Sequence, residues 1–404
     1  MIKKMIKIDI DKEKIEEALT RGVEQVLPSE DALKKLMQKR KIRVYLGIDP
    51  TGKLHLGHLA VLKKLRQFQD LGNETIVLIG DFTATIGDPT GKYTARKTLT
   101  HKQVLAYAKN YKQQIRKILD FSKSNVRFLH NEEWTNKLKP VDMLILASKF
   151  TVARLLERDM FQRRIKAGRD IHVHEFLYPI FQAYDSLTMD IDLEIGGSDQ
   201  LFNMLAGRTL MKKMKNKEKF VLATKLLVDP TGKKMGKTEG NIINLDESPK
   251  EMFGKIMAWP DPLIITGFEL CTDVAKEKIK EIAQKIKNKK LNPRDAKARL
   301  AKEIVKFYHG EKAAIGAQKE FDSIFKEKKL PTKIPKAKIT DKSLNILNLL
   351  LKTKLVPSKS EAKRLILQKG VKIDGEVQTD WKKTVKIKKG QIVKVGKRKF
   401  VKLI

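Results

Sequence analysis

Cysteine is almost missing from this chain: Cys271 is the only one in 404 residues. That excludes an internal disulfide, leaves no thiolate cluster for structural zinc, and suits a reducing cytosol. Long apolar runs are missing too. The longest, such as residues 143–147, fall far short of a bilayer span, and residues 1–14 alternate lysine with isoleucine where a secretory signal would need an unbroken apolar core. The expectation is a soluble, cytoplasmic protein with no membrane partner. Acids are scarce as well, 48 Asp+Glu against 85 Lys+Arg, for a formal net charge of +37. Such an excess of cations implies a polyanionic partner, a charged surface for solubility or heat tolerance being the alternative. Residues 331–404 carry 21 Lys/Arg against 5 Asp/Glu, so the C-terminal end is disproportionately basic.

The chain is long enough for two or three domains with cores of their own. Residues 1–40 read as a charged helical segment, with Ser29 a candidate helix cap. Residues 41–245 then alternate strand and helix: strands over 43–48, 75–79 and 126–130, and helices over 55–71 and 101–121. Further on come a helical, basic insertion near 141–167, a helix over 177–189 and a strand over 193–195. This spacing predicts an α/β class with a Rossmann-like, doubly wound parallel sheet. Residues 246–330 read as an α-helical domain, and 331–340, with Pro331 and Pro335 among lysines, as a linker. Residues 341–404 read as a small α+β module. In it Ser358 and Glu361 form a capping-box pattern and Asp374-Gly375 a hairpin turn.

Two distant motifs ask for one ligand. His55-Leu56-Gly57-His58 opens a helix after a Gly/Pro turn, and Lys234-Met235-Gly236-Lys237-Thr238 sits on a Gly-rich loop. Glycine lets a nucleotide approach the backbone, imidazoles and amides face its phosphates, and lysines add charge. The pair resembles the HIGH and KMSKS signatures of class I aminoacyl-tRNA synthetases. Two other readings fail. Gly47 to Lys53 imitates a phosphate-binding loop, but Leu54 stands where a hydroxyl would meet magnesium. His55 and His58 lack the Glu of the metalloprotease pattern and any nearby Cys or His to complete a zinc site, so no metal ligands are expected. Asp-Pro-Thr-Gly-Lys occurs at 49–53, 88–92 and 229–233, and three such turns beyond strand ends can line one site.

Tyr178, Gln182 and Asp185 share one helix face. With Tyr45-Leu46-Gly47-Ile48-Asp49-Pro50-Thr51, the segment from Gly80 to Pro89, and Gly196-Gly197-Ser198-Asp199-Gln200, they complete a pattern. By these motifs and their order, the catalytic region resembles bacterial-type tyrosyl-tRNA synthetases. The resemblance implies that L-tyrosine is activated with ATP and transferred to the terminal adenosine of tRNA(Tyr), with Mg2+ accompanying ATP and no structural metal. It implies that Tyr45 and Asp185 hold the substrate phenol, that Asp88, Tyr178 and Gln182 bind its ammonium, and that Gln200 orients its carboxylate. Asp199 takes the ribose hydroxyls, His58 and Thr51 lie near the nucleotide, and His55, Lys92, Arg96, Lys234 and Lys237 bind the departing pyrophosphate. Gly47, Asp49, Gly57 and Gly197 complete the ATP-binding set.

A helical anticodon-arm-binding domain and a homodimer, with its interface sought in 141–167, are further implications. The C-terminal module resembles an RNA-binding unit first named from a ribosomal small-subunit protein, which implies a phosphate-contacting face of Lys359, Lys363, Arg364, Lys369 and Lys372. Two departures stand out: the Asp49–His55 loop is about one residue shorter than in the commonest form, and Gly236 replaces the serine of KMSKS. The rival readings are a tryptophanyl-tRNA synthetase and an RNA-binding protein on a retired synthetase scaffold.

Overall fold

The structure, a computed structural model, describes residues 7–90, 99–228, 242–325, 334–396 and 399–404. The chain divides into two compact units, Met1–Gln318 and Lys319–Ile404. In the first, strands such as Glu74–Ile79 and Phe220–Thr224 are apolar along nearly their whole length. Strands of that composition must be covered on both faces. They sit in a six-stranded sheet made of β1 (Val23–Leu27), β2 (Arg43–Ile48), β3 (Glu74–Ile79), β4 (Val126–His130), β5 (Leu193–Gly197) and β6 (Phe220–Thr224). The order is β1-β6-β5-β2-β3-β4. All neighbours are parallel except β1, which runs antiparallel on β6 at the edge.

From β2 the chain winds outward to β3 and β4, whereas β5 lies on the other side of β2 and leads to β6. The strand order therefore reverses between β2 and β5, and their carboxyl ends frame a crevice. In the β2/β5 register Tyr45 lies beside Glu194, so both side chains emerge on one face of the sheet.

Several expectations need adjustment. Residues 1–40 hold β1 between helices Lys12–Thr20 and Glu30–Lys39, the latter capped by Ser29 as expected. The helix expected over 101–121 is broken into His101–Ala108 and Tyr111–Ile115. The basic insertion is three short helices, Pro140–Ala147, Val152–Leu156 and Asp159–Lys166. Helices from Pro249–Ile256 to Glu311–Phe325 account for the Lys-rich middle. Among the described residues no helix is long and apolar enough to cross a membrane.

The second unit contains a five-stranded sheet. Its strands β7 (Lys336–Ala337), β9 (Val371–Ile373), β10 (Glu376–Gln378), β12 (Ile392–Val395) and β13 (Lys399–Leu403) run in the order β10-β9-β12-β13-β7. The segment read as a linker thus contributes β7, parallel to β13. Strands β8 (Ser343–Asn345) and β11 (Thr384–Lys386) form a separate pair. The β9–β10 hairpin turns at Asp374-Gly375, both at positive φ, as Asp-Gly favours. Ser358 caps the Lys359–Leu367 helix through the Glu361 N–H, while the Glu361 carboxylate pairs with Arg364.

Candidate active site

The β2/β5 crevice opens into a cavity of about 430 Å³. Every described residue proposed from sequence for tyrosine or ATP lines it: Tyr45, Gly47, Asp49, Thr51, His55, Gly57, His58, Asp88, Tyr178, Gln182, Asp185, Gly197, Asp199 and Gln200. Lys92, Arg96, Lys234 and Lys237 lie outside the described residues.

His55 caps the Leu56–Asp70 helix. Its Nδ1 accepts the Gly57 N–H at 3.2 Å, and its own N–H donates to His58 Nδ1 at 3.1 Å. An imidazole that accepts at Nδ1 carries its proton on Nε2, so both rings are fixed as Nε2–H donors at a helix N-terminus, an anion-favouring place. The signature is tied to residues just beyond the lysine loop: Leu56 N–H donates to the Ile243 carbonyl, Leu245 N–H donates to the Leu54 carbonyl, and His55 bridges Asn244.

The acids of the cavity are individually held. Asp49 accepts from the Tyr178 hydroxyl at 2.9 Å and from Thr83 at 2.7 Å. Gly80 makes this possible, since a Cβ there would stand 2.1 Å from Asp49 Oδ1 and 2.4 Å from Thr83 Oγ1. Asp88 accepts from Gln200 Nε2 at 2.8 Å and from Thr90, with the buried Arg158 guanidinium 3.8 Å away. Asp185 accepts from Trp134 Nε1 at 2.8 Å and Asn131 Nδ2 at 3.2 Å. Burial pushes its carboxyl well above the usual range despite those two donors.

The expected Tyr45–Asp185 pair line one cavity without bonding each other. The Tyr45 hydroxyl donates to Glu194 Oε1 at 2.5 Å and lies 3.1 Å from Ser186 Oγ. Burial, with the adjacent Glu194 charge, holds that phenol well above its ordinary range. Tyr178, Gln182 and Asp185 do share a face of the Val173–Thr188 helix, but their partners differ: Asp49, Glu194, and the Asn131/Trp134 pair. Sequence reading had not singled out Glu194, Lys219, Asn131, Trp134 or Arg158.

A bed of carboxylates beneath one end of the cavity suits an ammonium, and imidazole donors at a helix start suit phosphates. Among the described residues no group of three or more His, Cys, Asp or Glu is arranged to hold a metal ion.

A family model described as tRNA synthetases class I (W and Y) matches residues 37–326. The chain belongs to that family. A second model, described as the Tyrosine--tRNA ligase SYY-like C-terminal domain, matches residues 326–403. Among curated relatives, the Tyrosine--tRNA ligase of Thermotoga maritima is 46% identical over 95% of this chain and 96% of its own length. That of Moorella thermoacetica is 45% identical over 95% and 94%, and Tyrosine--tRNA ligase 2 of Vibrio cholerae is 45% identical over 95% and 97%. Among solved structures, the Archaeoglobus fulgidus tyrosyl-tRNA synthetase complexed with L-tyrosine aligns with a TM-score of 0.61 at 25% identity, over 77% of this chain and 100% of that one. A C-terminally truncated mitochondrial tyrosyl-tRNA synthetase from Aspergillus nidulans, 23% identical, shares the fold with a TM-score of 0.64 over 78% and 95%.

In the second unit, Lys359, Lys363, Arg364, Lys369 and Lys372 are all exposed. Lys363 lies over the Trp381 ring at 4.3 Å, and Arg364 is engaged by Glu361. Lys372 is in register with Lys394, which sequence reading had passed over.

Proposed function

We propose that this chain is a cytoplasmic tyrosine–tRNA ligase. The observation that carries the reading is the convergence of the sequence-selected residues on one cavity at the switch point of the sheet. Relatives 45–46% identical over nearly the whole chain, named for the same activity, support it.

Tyrosine lies with its phenol toward Tyr45 and Asp185, its ammonium toward Asp88, Tyr178 and Gln182, and its carboxylate toward Gln200. A carboxylate oxygen attacks the α-phosphorus of ATP. The bond to the β-phosphate oxygen breaks, and its electron pair leaves with pyrophosphate. The tRNA terminal hydroxyl then attacks the acyl carbon of the adenylate and releases AMP. No protein nucleophile is needed, because alignment and stabilisation of developing charge supply the catalysis. The Nε2–H groups of His55 and His58 meet the phosphates, while Asp199 takes the ribose, with Gly47, Asp49, Thr51, Gly57 and Gly197 along the nucleotide. Lys92, Arg96, Lys234 and Lys237 act on pyrophosphate, a role that sequence alone assigns. Magnesium accompanying ATP would offset the charge of its phosphates.

The helices over 246–330 and the basic module over 341–404 take the tRNA, the latter through Lys359, Lys363, Arg364, Lys369 and Lys372. A homodimer is favoured by apolar side chains left exposed along the insertion. Val141, Leu144 and Ile145 share a helix face, and Leu144 is 71% exposed, with Val173 at 76% a little beyond. Charging of tRNA(Tyr) with labelled tyrosine tests the reading. ATP-dependent charging specific to tyrosine is expected, and RNA binding without charging would favour a retired scaffold.

A further inference from the structure

A second cavity, of about 310 Å³, runs along the helix that His55 opens. It shares Ala60 and Thr224 with the catalytic cavity, and none of the roles above uses it. Helical spacing puts Ala60, Lys63, Lys64 and Gln67 on one face of Leu56–Asp70, and that face lines it.

Three acids line this cavity, and each already has a cation. Asp70 holds Arg66 at 2.8 Å, Glu269 holds Lys225 at 2.9 Å, and Asp273 holds Lys63. Arg21, the other guanidinium of the lining, donates to Glu17 at 3.1 Å and to the carbonyls of Phe268, Glu269 and Thr272. Two lysines are left over. Lys64 is 5% exposed, and its ammonium donates to the Ala18 carbonyl at 2.7 Å, but among the described residues no carboxylate pairs with it. Lys117 is exposed at the same cavity, with its ammonium 4.4 Å from the Tyr308 ring and, among the described residues, no carboxylate partner.

An ammonium has three N–H donors, and a carbonyl satisfies one of them without supplying a counter-charge. A buried cation left in that state is costly. Burial accordingly pushes Lys64 down to about 7, with Glu17, Glu269, Arg21 and Lys276 as the charged groups around it. The cavity gives an incoming anion room to reach that ammonium. We propose that it binds a small dianion of the phosphate class, with Lys64 at its floor and Lys117 at its mouth supplying the two unmatched charges. Hydrogen phosphate carries two charges to meet them, and its tetrahedral oxygens accept from several directions at once. The site is separate from the one that handles ATP, and it does not depend on which amino acid the catalytic cavity takes.

The probe is radiolabelled inorganic phosphate in equilibrium dialysis against the full chain, a readout that needs no turnover. The catalytic cavity also favours phosphates, so two classes of site are expected in the native chain. His55→Asn with His58→Asn should weaken one class and leave the other. Lys64→Met should weaken that other class at least about tenfold, since a hydrogen-bonded counter-charge is lost. Methionine keeps the length and apolar stem of the lysine, so the fold is expected to hold. Lys117→Gln, an exposed change, keeps the test open if it does not, and should weaken the same class about threefold. Both lysine variants should keep the native KM for ATP in ATP–pyrophosphate exchange.

Phosphate binding that the histidine variant abolishes entirely, or that both lysine variants leave unchanged, overturns the proposal. Phosphate bound at the catalytic cavity alone, together with weaker tRNA binding in Lys64→Met, overturns it too and makes the cavity a seat for an RNA phosphate instead.

Discussion

Asp185→Asn is the substitution whose outcome the site geometry specifies most closely. The two carboxylate oxygens of Asp185 accept from different donors, Trp134 Nε1 at 2.8 Å and Asn131 Nδ2 at 3.2 Å, in a side chain buried away from water. An amide has one acceptor oxygen, so its N–H2 must face one of those donors head-on. The change removes one acceptor oxygen and leaves an opposed donor unsatisfied, together about 2 to 4 kcal/mol. If the phenol of tyrosine sits against this carboxylate, kcat/KM for tyrosine in ATP–pyrophosphate exchange should fall by about 30- to 1,000-fold. Exchange with phenylalanine, which never reached the carboxylate with a hydroxyl, should change little. Trp134→Phe alone should also reduce tyrosine use, but added to Asp185→Asn it removes the opposed N–H and should cost almost nothing more. That non-additivity is the signature of a direct contact. Additive losses, or a variant that keeps its rate and its preference for tyrosine, would refute the assignment of Asp185 to the phenol.

Gly80→Ala should place a methyl into the Asp49 carboxylate, displace the partner of Tyr178, and lower adenylate formation about 100-fold with modest change in melting temperature. Replacing Lys359, Lys363 and Lys372 together by Gln should leave pyrophosphate exchange intact while the slope of log affinity for tRNA against log salt flattens by about 2 to 3. Leu144→Asp should convert a dimer to monomers in sedimentation, and an unchanged mass would place the interface elsewhere. Burial pushes the Lys64 ammonium down to about 7. Between that value and the ordinary lysine range the unfolded chain binds the extra proton, so stability rises with pH across this window. From pH 7 to 9 Lys64 should contribute up to about 3 kcal/mol of that rise in denaturant titrations, and Lys64→Met should remove it.

Where local pattern decides structure, the sequence was readable. β2 and β4 lie where their apolar runs place them, and the Asp374-Gly375 turn closes the hairpin its dihedral preferences demand. Tyr178, Gln182 and Asp185 face one cavity because a seven-residue span on a helix leaves no other choice. β1 escaped notice: it is a short edge strand carrying Glu24 and Gln25, stabilised by antiparallel pairing with the distant β6. The partners of the site residues escaped for the same reason. Tyr45 meets Glu194 because β2 and β5, some 150 residues apart in sequence, are neighbours in register. The detectable clue was an acid in Leu193-Glu194-Ile195 and a lysine at the mouth of the apolar 220–224 run, two charges where a buried strand offers no water.

In the proposed function one cavity activates tyrosine with ATP. ATP–pyrophosphate exchange on the purified chain, with tyrosine, tryptophan and phenylalanine supplied separately, decides whether it does. Exchange dependent on tyrosine, with the other two lower by orders of magnitude, is the expected result. Exchange driven equally by tryptophan, or ATP binding with no exchange at all, would contradict it.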